Sequence, residues 1–422
     1  MTLDIVRRKF LKRSLATAAS LSVPALGLLH GCKRNLDRIP LERSGSSKKV
    51  LVIGAGLAGL SAAFELILAG HQVTILEAQR RSGGRVLTFR APLADGLFAE
   101  AGAARINASH YWTMEYVKLF GLPLEPFYPN TGKYTEFNEG ARHQISWTEY
   151  AESVQKYAGS HLDGSWHGFR IRGDRQWLKI KGGNDLLPAA FAGRLAGKIM
   201  YEAPLEKIVH DAHRVRAIIR HRGGYQSLEA DRLLCTVPFS VLRNTIEVTP
   251  RFSDEKQKAI DELDYSMASR TCLQVRNRFW NKKNANGFAI MNQPAEVWQP
   301  SFNQTGTRGI LELYLGHIES LKLMAYSESV RLEIIVKKMD QVFPGTRKNF
   351  ELGVAKYWCQ DLWARGAWSM PRDDQLQSIK MPEGRTHFAG EHTSEGRAWM
   401  QGALESGYRA AREINNAFHY DA

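Results

Sequence analysis

The run Lys48-Lys49-Val50-Leu51-Val52-Ile53 ends in Gly54-Ala55-Gly56-Leu57-Ala58-Gly59, and an apolar pattern of helical period follows at once. A second apolar run, Val73-Thr74-Ile75-Leu76, ends on Glu77. Strand, glycine turn, helix, strand and acid, in this order, predict a βαβ unit that holds a dinucleotide. Side chains at Gly54 or Gly56 would block the approach of a pyrophosphate, and Gly59 lets the helix pack on the strand. Leu57 and Ala58 open the helix, where free N–H groups and the positive dipole end meet phosphate. Glu77, followed by Ala78, is placed to bond a ribose hydroxyl.

The segment after the acid decides between dinucleotides. Glu77-Ala78-Gln79-Arg80-Arg81-Ser82-Gly83-Gly84-Arg85 resembles the flavin-containing amine oxidoreductases, the group of monoamine, polyamine and L-amino acid oxidases. The resemblance implies FAD, with Gly84 and Arg85 wrapping its pyrophosphate. It continues through Lys181–Pro188, Leu205–Ile208, whose Leu205 would meet the adenine, Leu234–Pro238, Arg278-Phe279-Trp280 and, most closely, Phe388–Ile414. In that last segment Gly390 precedes Glu391, which would bond the ribitol. Met400 would start a helix, with Ala403 in its first turn, whose positive end stabilises an anionic reduced flavin. Monoamine oxidases attach FAD through a cysteine where this chain has Ala367, so the cofactor is expected to be non-covalent.

Ala99-Glu100-Ala101-Gly102-Ala103-Ala104-Arg105-Ile106 resembles the L-amino acid oxidase branch. There Gly102, Ala103, Ala104 and Arg105 would border the cofactor, and Arg105 would grip a substrate carboxylate with its planar fork. A structural ion pair is the other reading of Arg105. Tyr314 matches a second carboxylate contact, or is a packed strand tyrosine. Trp399 and Trp368 are candidates for two facing aromatic walls, with core packing as the alternative. The family lysine that holds a water near the flavin is expected just before Phe279-Trp280, where Arg276 and Arg278 stand. Arginine keeps the charge but scarcely relays a proton, so oxygen or another electron acceptor stays open. The Tyr134–Ile180 region is short for that branch, and nothing ties His161 or His167 to a catalytic role.

The fold expected is α/β (α+β overall): a discontinuous Rossmann-like FAD-binding domain from 48–104, 183–270 and 366–422, and a substrate domain of mixed sheet plus helices from 105–182 and 271–365. Ser329–Val342 reads as a helix and His221–Tyr225 as a hairpin turn. At the N-terminus, Arg7-Arg8-Lys9-Phe10-Leu11-Lys12 precedes a mostly apolar stretch from Leu15 to Leu29, which predicts a twin-arginine export signal over 1–32 and a periplasmic or other extracytoplasmic site. Leu29-His30-Gly31-Cys32 resembles a lipobox, so membrane anchoring through a lipidated Cys32 and plain signal cleavage are both open. Residues 33–47 read as a tether. Cys235, Cys272 and Cys359 have no zinc or disulfide spacing, and no metal is expected. The net charge of +14 comes without a nucleic-acid module, so nucleic acid is not an expected partner. The function expected is oxidative deamination of an L-amino acid, with hydride passing to flavin N5 and oxygen giving peroxide. Rivals are an amine or polyamine oxidase, a flavin dehydrogenase, and a non-catalytic exported flavoprotein that binds a partner. A homodimer stays open.

Overall fold

Strand β1 (Lys49–Ile53) is followed by the turn at Gly54 and helix α1 (Leu57–Leu68), and strand β2 (Gln72–Leu76) returns beside β1. Gly54 has φ +102°, a region that only glycine enters without strain. A Cβ on Gly59 would lie 2.0 Å from the Gly54 carbonyl oxygen, so the helix reaches the strand only because that atom is missing. The computed structural model describes residues 40–43, 45–161, 177–291 and 295–417. The export signal, Cys32, most of the tether, the His161 side chain and His167 lie outside the described residues.

β1 and β2 sit in a five-stranded parallel sheet. Its order is Ile199–Met200, β2, β1, Arg232–Cys235, Thr386–Phe388. Both faces of β1 and Arg232–Cys235 are buried, as apolar runs in a covered parallel sheet require. A four-stranded sheet stands beside it and contains Leu205–His210, Val215–His221 and Gly224–Ala230. The last two form the hairpin expected at 221–225, and Arg222 and Gly223 take positive φ at its turn.

A separate, seven-stranded sheet carries β3 (Ser269–Val275), β4 (Ala295–Trp298) and β5 (Gly309–Leu315), with β5 between the other two and antiparallel to both. Register places Arg270, Tyr314 and Glu296 directly opposite one another in a single row across β3, β5 and β4. Cys272, Glu312 and Trp298 form the next row on the same face. The helix over Glu328–Val342 covers this sheet with Ile335, Val336 and Met339. The final helix, α2 (Met400–Asn416), packs on α1, burying Leu404, Ala410, Ala411 and Ile414 in the same core.

Candidate active site

One cavity runs from the β1–α1 turn to the first turn of α2, and its far wall is the Arg270–Tyr314 edge of the seven-stranded sheet. Every site residue singled out in the sequence borders it except Gly59, Arg276 and Arg278. Gly59 lies behind the turn, packed on β1. Arg276 is exposed just beyond the end of β3, its N–H bonded to the Asn349 carbonyl at 2.9 Å. The cavity meets the opposite end of β3, about 20 Å away at strand rise. The cation that this strand delivers to the cavity is Arg270. Arg278 is half-buried on the carbonyls of Arg308 and Gln304, also away from the site.

At the turn, α1 begins without a side-chain cap, and no acid occupies its first turn. A Cβ built on Gly56 meets nothing within 4 Å, so the bare backbone faces open space. This is a cradle that a side chain would fill, and it fits a dinucleotide pyrophosphate. Glu77 is buried, accepting from the N–H groups of Ala55 at 2.7 Å and Gln79 at 2.8 Å. Burial raises its pKa, and those backbone bonds pull the other way. The loop at Gly83 and Gly84 closes on Gly56 through an isolated bridge.

Arg85 crosses the cavity wall to Glu391, 2.7 Å away, and also donates to the Ala367 carbonyl at 3.1 Å. Glu391 accepts from Ser369 N–H and Oγ and from Ala398 N–H. Burial alone would raise its pKa. The Arg85 guanidinium and these donors hold it below the usual carboxylate range. The strip Gly102–Arg105 is fixed from behind, because Asn184 donates to the carbonyls of Ala103 and Ala104 at 3.0 and 2.9 Å.

His392, next to Glu391, is fully buried against Phe239, and among the described residues neither ring nitrogen has a hydrogen-bond partner. Burial lowers its pKa to about 3. The unfolded chain therefore binds a proton near pH 6.5 that the native state refuses, so stability falls as pH drops below that value. His392→Phe is expected to remove about 2 kcal/mol of the stability difference between pH 7 and pH 5. Urea unfolding of both proteins at the two pH values checks this.

The far end is aromatic and charged. Trp399 stacks on Trp177, with centroids 5.4 Å apart and planes at 25°, and the His110 ring lies 5.0 Å from Trp399. Trp368 borders the cavity with its backbone carbonyl bonded to Ser266 N–H. Arg105 is 6% exposed and donates through Nη1 to Tyr128 Oη at 2.9 Å and to Glu296 Oε2 at 3.4 Å. Arg270 pairs with buried Glu312 at 2.7 Å, and its guanidinium carbon lies 4.2 Å from the Trp298 ring centre and 4.6 Å from that of Tyr314. Arg105 lies 4.9 Å from the centre of the same Trp298 ring. Sequence reasoning missed Arg270, Glu296, Glu312 and Trp298.

A glycine cradle, an acid at the second strand and a paired arginine and glutamate line one cavity, an arrangement that fits an extended dinucleotide such as FAD. The chain belongs to the flavin containing amine oxidoreductase family, whose profile it matches over residues 57–167 and 154–415. It is 31% identical to a protein of Bacillus subtilis (strain 168) named "Putative L-amino-acid oxidase YobN", over 90% of this chain and 98% of that one. It is 26% identical to the flavin-dependent L-tryptophan oxidase of Lentzea aerocolonigenes, over 88% and 98%. Among solved structures, cyclohexylamine oxidase from Brevibacterium oxydans IH-35A shares the fold with a TM-score of 0.73 at 18% identity, over 88% of this chain and 99% of that one. Putrescine oxidase gives 0.74 at 17%, over 87% and 99%. The protein is an FAD-dependent amine oxidoreductase.

Proposed function

We propose that the enzyme oxidatively deaminates an L-amino acid, giving a keto acid, ammonia and hydrogen peroxide. The observation that supports this most is the position of Arg105, a guanidinium on the cavity wall next to Tyr314. The names of the relatives at 31% and 26% identity agree with it. Arg105 takes the substrate carboxylate. Burial raises the pKa of Tyr314, so its phenol stays protonated and can donate a second bond. Trp399 and Trp368 exclude water, and desolvation favours the neutral amine, the form that can be oxidised. Bound FAD supplies the two-electron acceptor. Ala367 borders the cavity and, among the described residues, no cysteine does, which supports non-covalent binding.

An amine oxidase is the second reading, because the Arg105–Glu296 pair gives the guanidinium a structural partner. The test is a screen of the holoprotein without oxygen against L-amino acids and amines, followed by a peroxide assay in air. Flavin bleached by amino acids, with peroxide released on readmitting air, supports the first reading. Bleaching by amines alone contradicts it.

Export by the twin-arginine route is part of the same proposal. Replacing both Arg7 and Arg8 by Lys is expected to leave the protein in the cytoplasm, as cell fractionation would read, and unchanged export would refute it. Mass determination of the mature N-terminus tells a lipidated Cys32 from plain cleavage.

A further inference from the structure

An ion pair crosses the cavity wall with its positive end inward. Arg270 borders the cavity, while Glu312 stands in the next row of the same sheet, 1% exposed, and does not border it. Arg270 Nη1 donates to Glu312 Oε1 at 2.7 Å, and the rings of Trp298 and Tyr314 hold the guanidinium in place. The remaining guanidinium N–H groups have no acceptor among the described residues. A planar cation that is fixed before anything binds, with donors to spare, suits a site that receives electron-rich atoms. The glycine cradle takes the pyrophosphate at the opposite end of the cavity, so the ring system is the part of FAD left for this wall.

We infer that Arg270 sets the reduction potential of the bound flavin: it favours the reduced, anionic ring over the oxidised, neutral one. This requires FAD in the cavity and is independent of which substrate is oxidised. Two electrons and one proton, taken together as hydride from the substrate, leave the ring with one negative charge more than before. A cation already in place opposes that charge without rearranging, and in a cavity screened from water its effect is larger than in solvent. The first turn of α2 acts in the same sense, with about half a unit of charge. Glu312 acts in the opposite sense. It holds the guanidinium and cancels part of its field, so the two members of the pair shift the potential in opposite directions. A purely structural ion pair has no reason to do so.

Midpoint potentials of the FAD-loaded protein are read without oxygen against redox dyes, a measurement that needs no substrate. Arg270→Met combined with Glu312→Leu removes the pair and leaves apolar side chains, an exchange that folded proteins tolerate. In this double variant the ratio of affinities for reduced and oxidised FAD is expected to fall on the order of 100-fold, which is about 60 mV for a two-electron couple. Glu312→Gln, which keeps the shape of the site, is expected to raise the potential. Arg270→Lys, which keeps the charge, is expected to stay close to wild type. The inference is overturned if the double variant keeps the wild-type potential, if Glu312→Gln does not raise it, or if Arg270→Lys falls as far as the double variant. Each measurement stands alone, so a variant that fails to load FAD leaves the others decisive. Wild-type protein that takes up no FAD would overturn the cofactor assignment, and this inference with it.

Discussion

Gly56→Val is expected to yield a folded, colourless protein. The new Cβ meets no neighbour within 4 Å, and the backbone there, at φ −74° and ψ 174°, suits valine. As the N-cap of α1 it has no side-chain bond to lose, so the loss of stability stays within about 1 kcal/mol. The branched side chain instead occupies the space in front of the α1 N-terminus where the pyrophosphate approaches. FAD affinity is expected to fall on the order of 1,000-fold, about 4 kcal/mol. Flavin absorbance after gel filtration and a thermal melt of the apo form read the two effects separately. Retained yellow colour with normal affinity would remove the phosphates from this turn. Gly59→Val makes the contrast, since its Cβ would overlap the Gly54 carbonyl and the whole unit should lose stability.

The second large effect is at Arg105. Arg105→Ala is expected to raise KM for an L-amino acid on the order of 100-fold, the equivalent of about 3 kcal/mol for a lost charge-assisted pair, while any weak turnover of a simple amine is unchanged. The substitution also strands Glu296 as a buried charge, which costs about 3 kcal/mol of stability. Arg105→Ala combined with Glu296→Gln separates the two, because the neutral amide restores stability and leaves substrate affinity lost. A double variant that recovers the amino acid KM would make Arg105 purely structural.

Much of the cofactor end was legible because its logic is local. The turn at Gly54, the packing at Gly59 and the acid at Glu77 lie within a single βαβ unit, so spacing alone carries them. The substrate end is not local. Arg270, Glu296 and Glu312 meet through the pairing of β3, β4 and β5, which the sequence separates by loops and which no short motif announces. Arg276 shows the limit well. It shares strand parity with Arg270, so a period of two places both on one face and says nothing about which end of β3 meets the cavity. The alternation in Gly309–Leu315 did mark Glu312 as a face-mate of Tyr314, and a buried glutamate in an apolar strand was a signal for a buried cation that went unread.

The most direct test pairs two molecules that differ by one carboxylate. L-phenylalanine and 2-phenylethylamine are mixed in turn with the FAD-loaded enzyme in the absence of oxygen, and flavin bleaching is followed by stopped flow. Rapid bleaching by the amino acid is expected, with reduction by the amine slower by on the order of 100-fold at equal concentration. Equal rates, or faster reduction by the amine, would contradict this.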